Sequence, residues 1–197
     1  MAYGSQVYLY PELTVQGGNR RAECILEAIL DLSAGDILLL EMQILSAEGY
    51  VPADYDVAVW SLIQTATDAG IVVIMAAGNG GSNLDRGVFS EYRNRGDNGG
   101  IIVGAGLPSS THRRMLTSTY GSLVDVQSWG MLVVSCGYGD WRQFGSDINQ
   151  AYTQFSGTSS ASAVVAGVAA LVQEHAKNIR GGYLTPLEMQ NLLIASG

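Results

Sequence analysis

Residues 155–171 read FSGTSSASAVVAGVAAL, a hydroxyl-rich turn that runs straight into small and branched apolar side chains, with no charge before Glu174. Such a stretch has few ways to fold. Gly157 permits a sharp turn, and Thr158 or Ser159 is suited to cap a helix start. From Ala161 to Ala170 almost every side chain is Ala, Val, Gly or Ser, so a helix here has no polar face and has to be packed on all sides. A serine in its first turn would lie at the positive end of the helix dipole, where a developing anion is stabilised.

The rest of the chain supplies the layers for that helix. Val7 to Tyr10 is a β-prone run closed by Pro11, which predicts a short strand. Cys24, Ile25, Ala28, Ile29 and Leu32 recur at helical spacing over Arg21 to Leu32, and Gly35 stops that helix before the apolar run Asp36 to Leu40. Gly49 and Pro52 interrupt any period between Glu41 and Ala53, which predicts a loop. Asp54 to Ala69 carries Val57, Trp60, Leu62 and Ile63 and is followed by Gly70, marking a second helix. Ile71 to Met75 reads as a buried strand. Asn83 to Gly100 is polar and glycine-rich, a surface excursion, before the strand Ile101 to Ala105. Shorter strands are predicted over Leu123 to Val126 and Met131 to Ser135, then a turn-like stretch over Gly137 to Gln154. A last helix starts at Thr185-Pro186 and runs through Ile194. Apolar strands alternating with helices predict an α/β fold, a mostly parallel sheet covered on both faces, with ligands at the carboxyl ends of its strands.

Charge and cysteine content narrow the partners. A net charge of −8 with scattered Lys and Arg argues against a nucleic-acid surface. No apolar run is long enough for a transmembrane helix, so no membrane partner is expected. The start of the chain lacks the pattern of a signal peptide, which leaves the compartment open. Cys24 and Cys136 are read as two thiols packed as small hydrophobes.

Two stretches combine chemically. Ala77-Gly78-Asn79-Gly80 presents a carboxamide from a tight turn at the end of an apolar strand, and Gly157-Thr158-Ser159 presents a hydroxyl at a helix start. An acyl-transfer site needs a nucleophilic oxygen and hydrogen-bond donors aimed at the oxyanion. The Asn79 side chain and the Ser159 backbone N–H are candidates for those donors.

On these residues the sequence resembles the subtilisin-like serine peptidases, the subtilases. Gly157-Thr158-Ser159-Ser160-Ala161-Ser162, continuing into Val165 to Leu171, is similar to the family's serine motif, and Val72 to Asn79 to its oxyanion motif. Ile101 to Ala105, Thr119-Tyr120-Gly121 and Val124-Asp125-Val126 look like the segments between them. The resemblance covers nearly the whole chain from about Val7. It implies a three-layer subtilisin-like fold, and makes Ser159 the nucleophile and Asn79 the oxyanion-hole donor of an endopeptidase acting on peptides or proteins. The family's Ser-x-Gly specificity wall stands here as Glu41-Met42-Gln43, so Glu41, Met42, Gln43 and Gly78 are the candidate substrate-binding residues. Glu41 would either favour a basic substrate side chain or simply be solvated. Ala163 replaces a proline usual in the family.

Two parts of the family pattern do not appear. The strand ending in Asp-x-Gly and the His-Gly-Thr at a helix start, which carry the catalytic Asp and His, are not in these residues. His175 lies about 24 Å along a straight helix from Ser159, and His112 falls in a polar turn. Residues 1–197 are therefore read as a single domain, the C-terminal portion of a subtilase catalytic domain, lacking the N-terminal strands that bear Asp and His. The expected partners are a substrate and either a complementary N-terminal segment or a second copy. Two unpaired strand edges are also expected, and a helix after Ser159 that is unusually exposed or covered by another molecule. The alternative is a pseudopeptidase that acts as a binding or assembly module. The chemistry requires no cofactor; structural calcium could draw ligands from Asp85, Asp97 and Asp140, and no metal residues are assigned.

Overall fold

Three short apolar runs and one mixed strand, Val126–Trp129, pair side by side to make the centre of the molecule. The computed structural model describes residues 2–15 and 17–197. In chain order the elements begin with α1 (Arg21–Asp31), β1 (Ile37–Leu40), β2 (Gln43–Ser46), β3 (Gly49–Pro52), α2 (Val57–Asp68) and β4 (Val72–Ala76). They continue with α3 (Ser90–Arg93), β5 (Ile101–Gly106), β6 (Val126–Trp129), β7 (Val133–Cys136), β8 (Arg142–Gln143), β9 (Ala151–Phe155), α4 (Thr158–Arg180) and α5 (Pro186–Ser196). The main sheet has the order β1-β4-β5-β6. All of its pairings are parallel, with Ile37 opposite Val72, Ile74 opposite Ile101 and Val103 opposite Val126.

Alternation along each strand builds one core on each face. Leu38, Leu40, Val73, Met75 and Ile102 pack with Cys24, Ile25 and Ala28 of α1 and with Val59, Ile63 and Ala66 of α2. Val72, Ile74, Ile101, Val103 and Ala105 face the other way, onto Ala161, Val165 and Ala169 of α4 and Met189 of α5. The result is a three-layer α/β fold, as the sequence predicts.

Local chemistry sets the helix ends. The Asp56 carboxylate accepts from the Ala58 and Val59 amides at 2.8 and 3.2 Å and caps α2. Helix α2 therefore starts three residues later than the sequence predicts, and Asp54 lies in a preceding 3₁₀ turn, buried. Thr185 and Glu188 form a reciprocal capping box on α5 with Pro186 at its start.

Several expectations require correction. Val7 to Tyr10 forms no strand; the Tyr10 hydroxyl instead donates to Asp31 at 2.8 Å. Of the two strand edges expected to be unpaired, the one at Val7 to Tyr10 does not exist, and β1 lies at one edge of the sheet with β6 at the other. Residues 41–53 are not a loop but contain the antiparallel hairpin β2–β3, with Gln43 opposite Pro52. Within 83–100, Leu84, Phe89 and Tyr92 are buried against Val51, so this stretch is a small third core rather than a surface excursion. Strands β6 and β7 start two to three residues beyond their predicted positions. The stretch from Gly137 to Gln154 contributes β8 and β9 to a second, antiparallel sheet of order β7-β9-β8. Cys24 is buried as expected, whereas Cys136 is exposed; both are free thiols.

Helix α4 shows two environments. Ala161, Val165 and Ala169 are buried on the sheet, while Val164, Gly167 and Val168 on the outer side are half-buried and Leu171 is exposed. No helix is long and apolar enough to cross a membrane among the described residues.

Asp125 ties α5 to the sheet. Its carboxylate accepts from the Ile102 amide at 2.7 Å and from the Gln190 side-chain amide at 3.1 Å. Burial dominates these bonds and pushes its pKa up to about 6, helped by the like charge of Asp97. The folded state thus holds this proton more tightly than the unfolded chain. The associated stability is fully present below about pH 4 and is lost as pH rises through about 6. Asn in place of Asp125 imitates the protonated form. Wild type is expected to lose on the order of 2 kcal/mol relative to Asp125→Asn between about pH 4 and pH 7, measured by urea unfolding. A difference that stays flat with pH would overturn this.

Candidate active site

The carboxyl ends of β1 and β4 meet the start of α4. Strand β4 delivers Ala77-Gly78-Asn79-Gly80, β1 delivers Glu41, and Gly157 turns the chain into α4. Each turn is held by contacts that tolerate little else. Gly78 sits at φ +92, and a Cβ there would lie 2.8 Å from the Tyr50 carbonyl oxygen. At Gly80 a Cβ would come within 2.3 Å of the Tyr50 nitrogen. The hairpin β2–β3 is therefore pressed directly onto the Asn79 turn. Gly80 N–H donates to Tyr50 O at 3.1 Å, and the Ser82 hydroxyl to Glu48 O at 2.7 Å. Gly157, at φ +113, would place a Cβ 3.0 Å from Asn79 Oδ1.

Thr158 locks the two halves together. Its backbone N–H donates to Asn79 Oδ1 at 2.9 Å and its hydroxyl to the same oxygen at 3.2 Å, while Gly78 N–H donates to Thr158 Oγ1 at 3.1 Å. Thr158 thus does not cap α4 with its side chain. These bonds fix which way the Asn79 carboxamide points. With Oδ1 committed to Thr158, Nδ2 is the end left over, and it has no protein partner among the described residues.

Ser159 is half-buried, and its hydroxyl donates to the carbonyl oxygen of Glu41 at 3.1 Å. Its backbone N–H is in the first turn of α4, where helix amides lack intrahelical acceptors. Gln43 reaches across with Oε1 accepting from Asn79 N–H at 2.8 Å. Glu41 is exposed as a residue, yet the protein around its carboxyl raises its pKa by desolvation. Met42 packs at the margin of the core beneath α1 and α2. Of the residues singled out from sequence, Ser159, Asn79, Gly78, Glu41 and Gln43 come together. Thr158 and Tyr50 are the contributors that sequence reasoning did not assign. The Gly-Thr-Ser triplet marks the first, and no local signal marks the second.

No imidazole is hydrogen-bonded to Ser159 among the described residues. His112 is exposed at φ 47, with its carbonyl accepting from Gln127, and His175 is exposed on α4. The carboxylates considered for calcium are engaged locally or open. Asp85 accepts from the Ser122 amide and hydroxyl, which lowers its pKa, and Asp97 accepts from Gly99 N–H. No group of three or more His, Cys, Asp or Glu that could hold a metal ion forms among the described residues. What remains is a primary hydroxyl, a free carboxamide N–H and a helix-start amide, the kinds of group that serve acyl transfer.

Known proteins resemble this chain in sequence and in fold. The model of the Subtilase family matches residues 11–197. Subtilisin-like protease 2 of Arthroderma otae is 32% identical over 146 residues, covering 74% of this chain and 30% of that protein. Alkaline serine exoprotease A of Vibrio alginolyticus is 32% identical over 139 residues, 71% of this chain and 22% of that protein. The chain thus spans less than a third of the length of these relatives. Among solved structures, a cold adapted subtilisin-like serine proteinase superimposes with a TM-score of 0.64 at 23% identity, over 93% of this chain and 57% of that one. A lanthipeptide protease gives 0.65 at 20% identity, over 93% and 60%.

Proposed function

This chain belongs to the subtilase family, and on that premise we propose that it carries the nucleophile and oxyanion-binding half of a serine endopeptidase site. Ser159 is the nucleophile that forms the acyl-enzyme with a peptide or protein substrate. Asn79 Nδ2 and the Ser159 backbone N–H stabilise the oxyanion. The observation that carries this reading is the pinning of Asn79 Oδ1 by Thr158, which leaves Nδ2 as a pre-oriented donor beside the serine. Glu41, Gln43 and Gly78 form the walls that receive the substrate, while Met42, expected among them, packs toward the core instead. The reaction uses no cofactor.

A serine hydroxyl needs a base and a group to orient it. In this reading residues 1–197 are one domain, the C-terminal portion of the catalytic domain, and an Asp- and His-bearing segment completes it. The open edge of β1 and the half-exposed outer side of α4 are the surfaces it would cover. The hydrogen bond from Ser159 to Glu41 O favours a second reading. A hydroxyl held by a carbonyl is not activated, as in a pseudopeptidase serving as a binding module.

Fluorophosphonate labelling separates the two. The missing segment is supplied as the part of the solved cold adapted subtilisin-like serine proteinase that this chain does not cover. The assembled protein is expected to be labelled at Ser159, with the isolated chain unlabelled or nearly so. An assembled complex that stays unlabelled would favour the binding module.

A further inference from the structure

In the first turns of α4 one polar group stands apart. The Ser160 hydroxyl is the one buried side-chain nitrogen or oxygen without a hydrogen-bond partner among the described residues. Its neighbours are all engaged. Thr158 bonds to Asn79, Ser159 to Glu41 O, Ser162 to Ser159 O at 2.9 Å, and Ser156 accepts from Leu132 N–H at 3.2 Å. Burying a hydroxyl without a partner costs about 1–3 kcal/mol. Alanine, the residue at the very next position, would remove that cost and is the better helix former. A hydroxyl is therefore kept where packing alone does not ask for one.

Its position on the helix says where a partner would come from. Residues 160, 164, 167 and 171 fall along one stripe of α4. Val164 and Gly167 are half-buried and Leu171 is 44% exposed, whereas Ala161, Val165 and Ala169 are buried on the sheet. Ser160, itself only 6% exposed, is thus the buried polar end of the stripe that faces away from the sheet, and it is adjacent in sequence to Ser159. A serine side chain reorients about a single bond, so a modest local adjustment brings its oxygen to a group arriving on that side.

We infer that Ser160 is a positioning residue. Its hydroxyl hydrogen-bonds the base-bearing segment that covers this stripe, and so holds the base against Ser159. The inference rests on the reading of the site as half of a serine endopeptidase. It adds a residue whose partner is a polar group of that segment, and it gives the uncovered stripe of α4 one occupant.

The test compares Ser160→Ala with Ser162→Ala. In the isolated chain, Ser160→Ala relieves an unbonded hydroxyl while Ser162→Ala removes a bond. The first is expected to melt roughly 2–4 °C above the second. With the segment from the cold adapted proteinase added, Ser160→Ala is expected to bind it about tenfold more weakly, as loss of one hydrogen bond implies. Fluorophosphonate labelling of Ser159 at saturating segment should slow about tenfold, with a displaced pH midpoint that a purely structural serine would not produce. Equal binding, labelling rate and pH midpoint in the variant overturn this inference and leave the proposed function standing. A wild-type chain that binds no segment overturns both.

Discussion

Asn79→Ala is expected to lower turnover of a peptide ester by the assembled protein about a hundred- to a thousandfold, a scale set by the corresponding donor in a subtilisin. Ser159→Ala marks the limit of complete loss of phosphonate labelling. The Asn79 change alone is ambiguous, because Oδ1 also accepts from the backbone N–H and hydroxyl of Thr158. Alanine would leave a buried donor unpaired as well as removing Nδ2. Asn79→Asp separates these effects. It keeps an oxygen for Thr158 but replaces the free N–H with a second carboxylate oxygen facing the developing oxyanion. Turnover should fall at least as far as with alanine, while the melting temperature stays closer to wild type. If Asn79→Asp retains turnover within about threefold of wild type, Asn79 is not an oxyanion donor.

The site was more legible than the scaffold pressed against it, and for a physical reason. The two turns proposed to carry the nucleophile and the oxyanion donor are short and carry their requirements locally. Gly157 at φ +113 and Gly78 at φ +92 are conformations that L side chains rarely adopt, so the glycines are visible in the sequence. The sheet strands were legible because Ile71 to Met75 and Ile101 to Ala105 are buried on both faces and need apolar residues throughout. The hairpin β2–β3 was not. Its two-residue turn is Ala47-Glu48, without the Asn-Gly or Asp-Gly that such turns usually display. Ser46 supplies local bonds by accepting from Glu48 N–H and donating to Gly49 O, and contacts with Gly80, Ser82 and Thr119 do the rest. Those contacts join residues far apart in the chain, which no local window records.

Val7 to Tyr10 failed in the opposite sense. Its residues favour a strand, but strand formation is a property of a pair. No described strand lies beside it, and Tyr10 packs toward α1 while Val7 and Leu9 remain 78% and 89% exposed. Strand β1 lies at one edge of the sheet, and the outer stripe of α4 is half-buried. In the proposed reading one segment would pair with the open edge, cover the outer stripe of α4 and bring the base.

Asp54→Ala is expected to destabilise the chain by about 3–5 kcal/mol. That is a large share of the roughly 5–15 kcal/mol that holds a domain of this kind together. Asp54 is 3% exposed, and three groups from the 83–100 stretch converge on it. The Tyr92 hydroxyl donates to Oδ1, the Asn98 side-chain amide donates to Oδ2 at 2.9 Å, and Arg95 donates to the Asp54 carbonyl oxygen at 3.2 Å. Burial raises its carboxyl pKa and raises that of Tyr92 as well, while the two donated bonds and Arg95 pull Asp54 back toward the charged form. Alanine would strand the Tyr92 hydroxyl and the Asn98 amide and remove the carboxylate facing Arg95. Asp54→Asn distinguishes charge from hydrogen bonding, since its single acceptor oxygen can serve one of the two donors. It should fall between wild type and alanine in urea unfolding. The loss should concentrate in the small core of Leu84, Phe89 and Tyr92, whose amides would exchange faster with solvent than those of β4 and β5. A cost below about 1 kcal/mol for Asp54→Ala, or uniform exchange across both regions, would mean that this buried carboxylate does not anchor the third core.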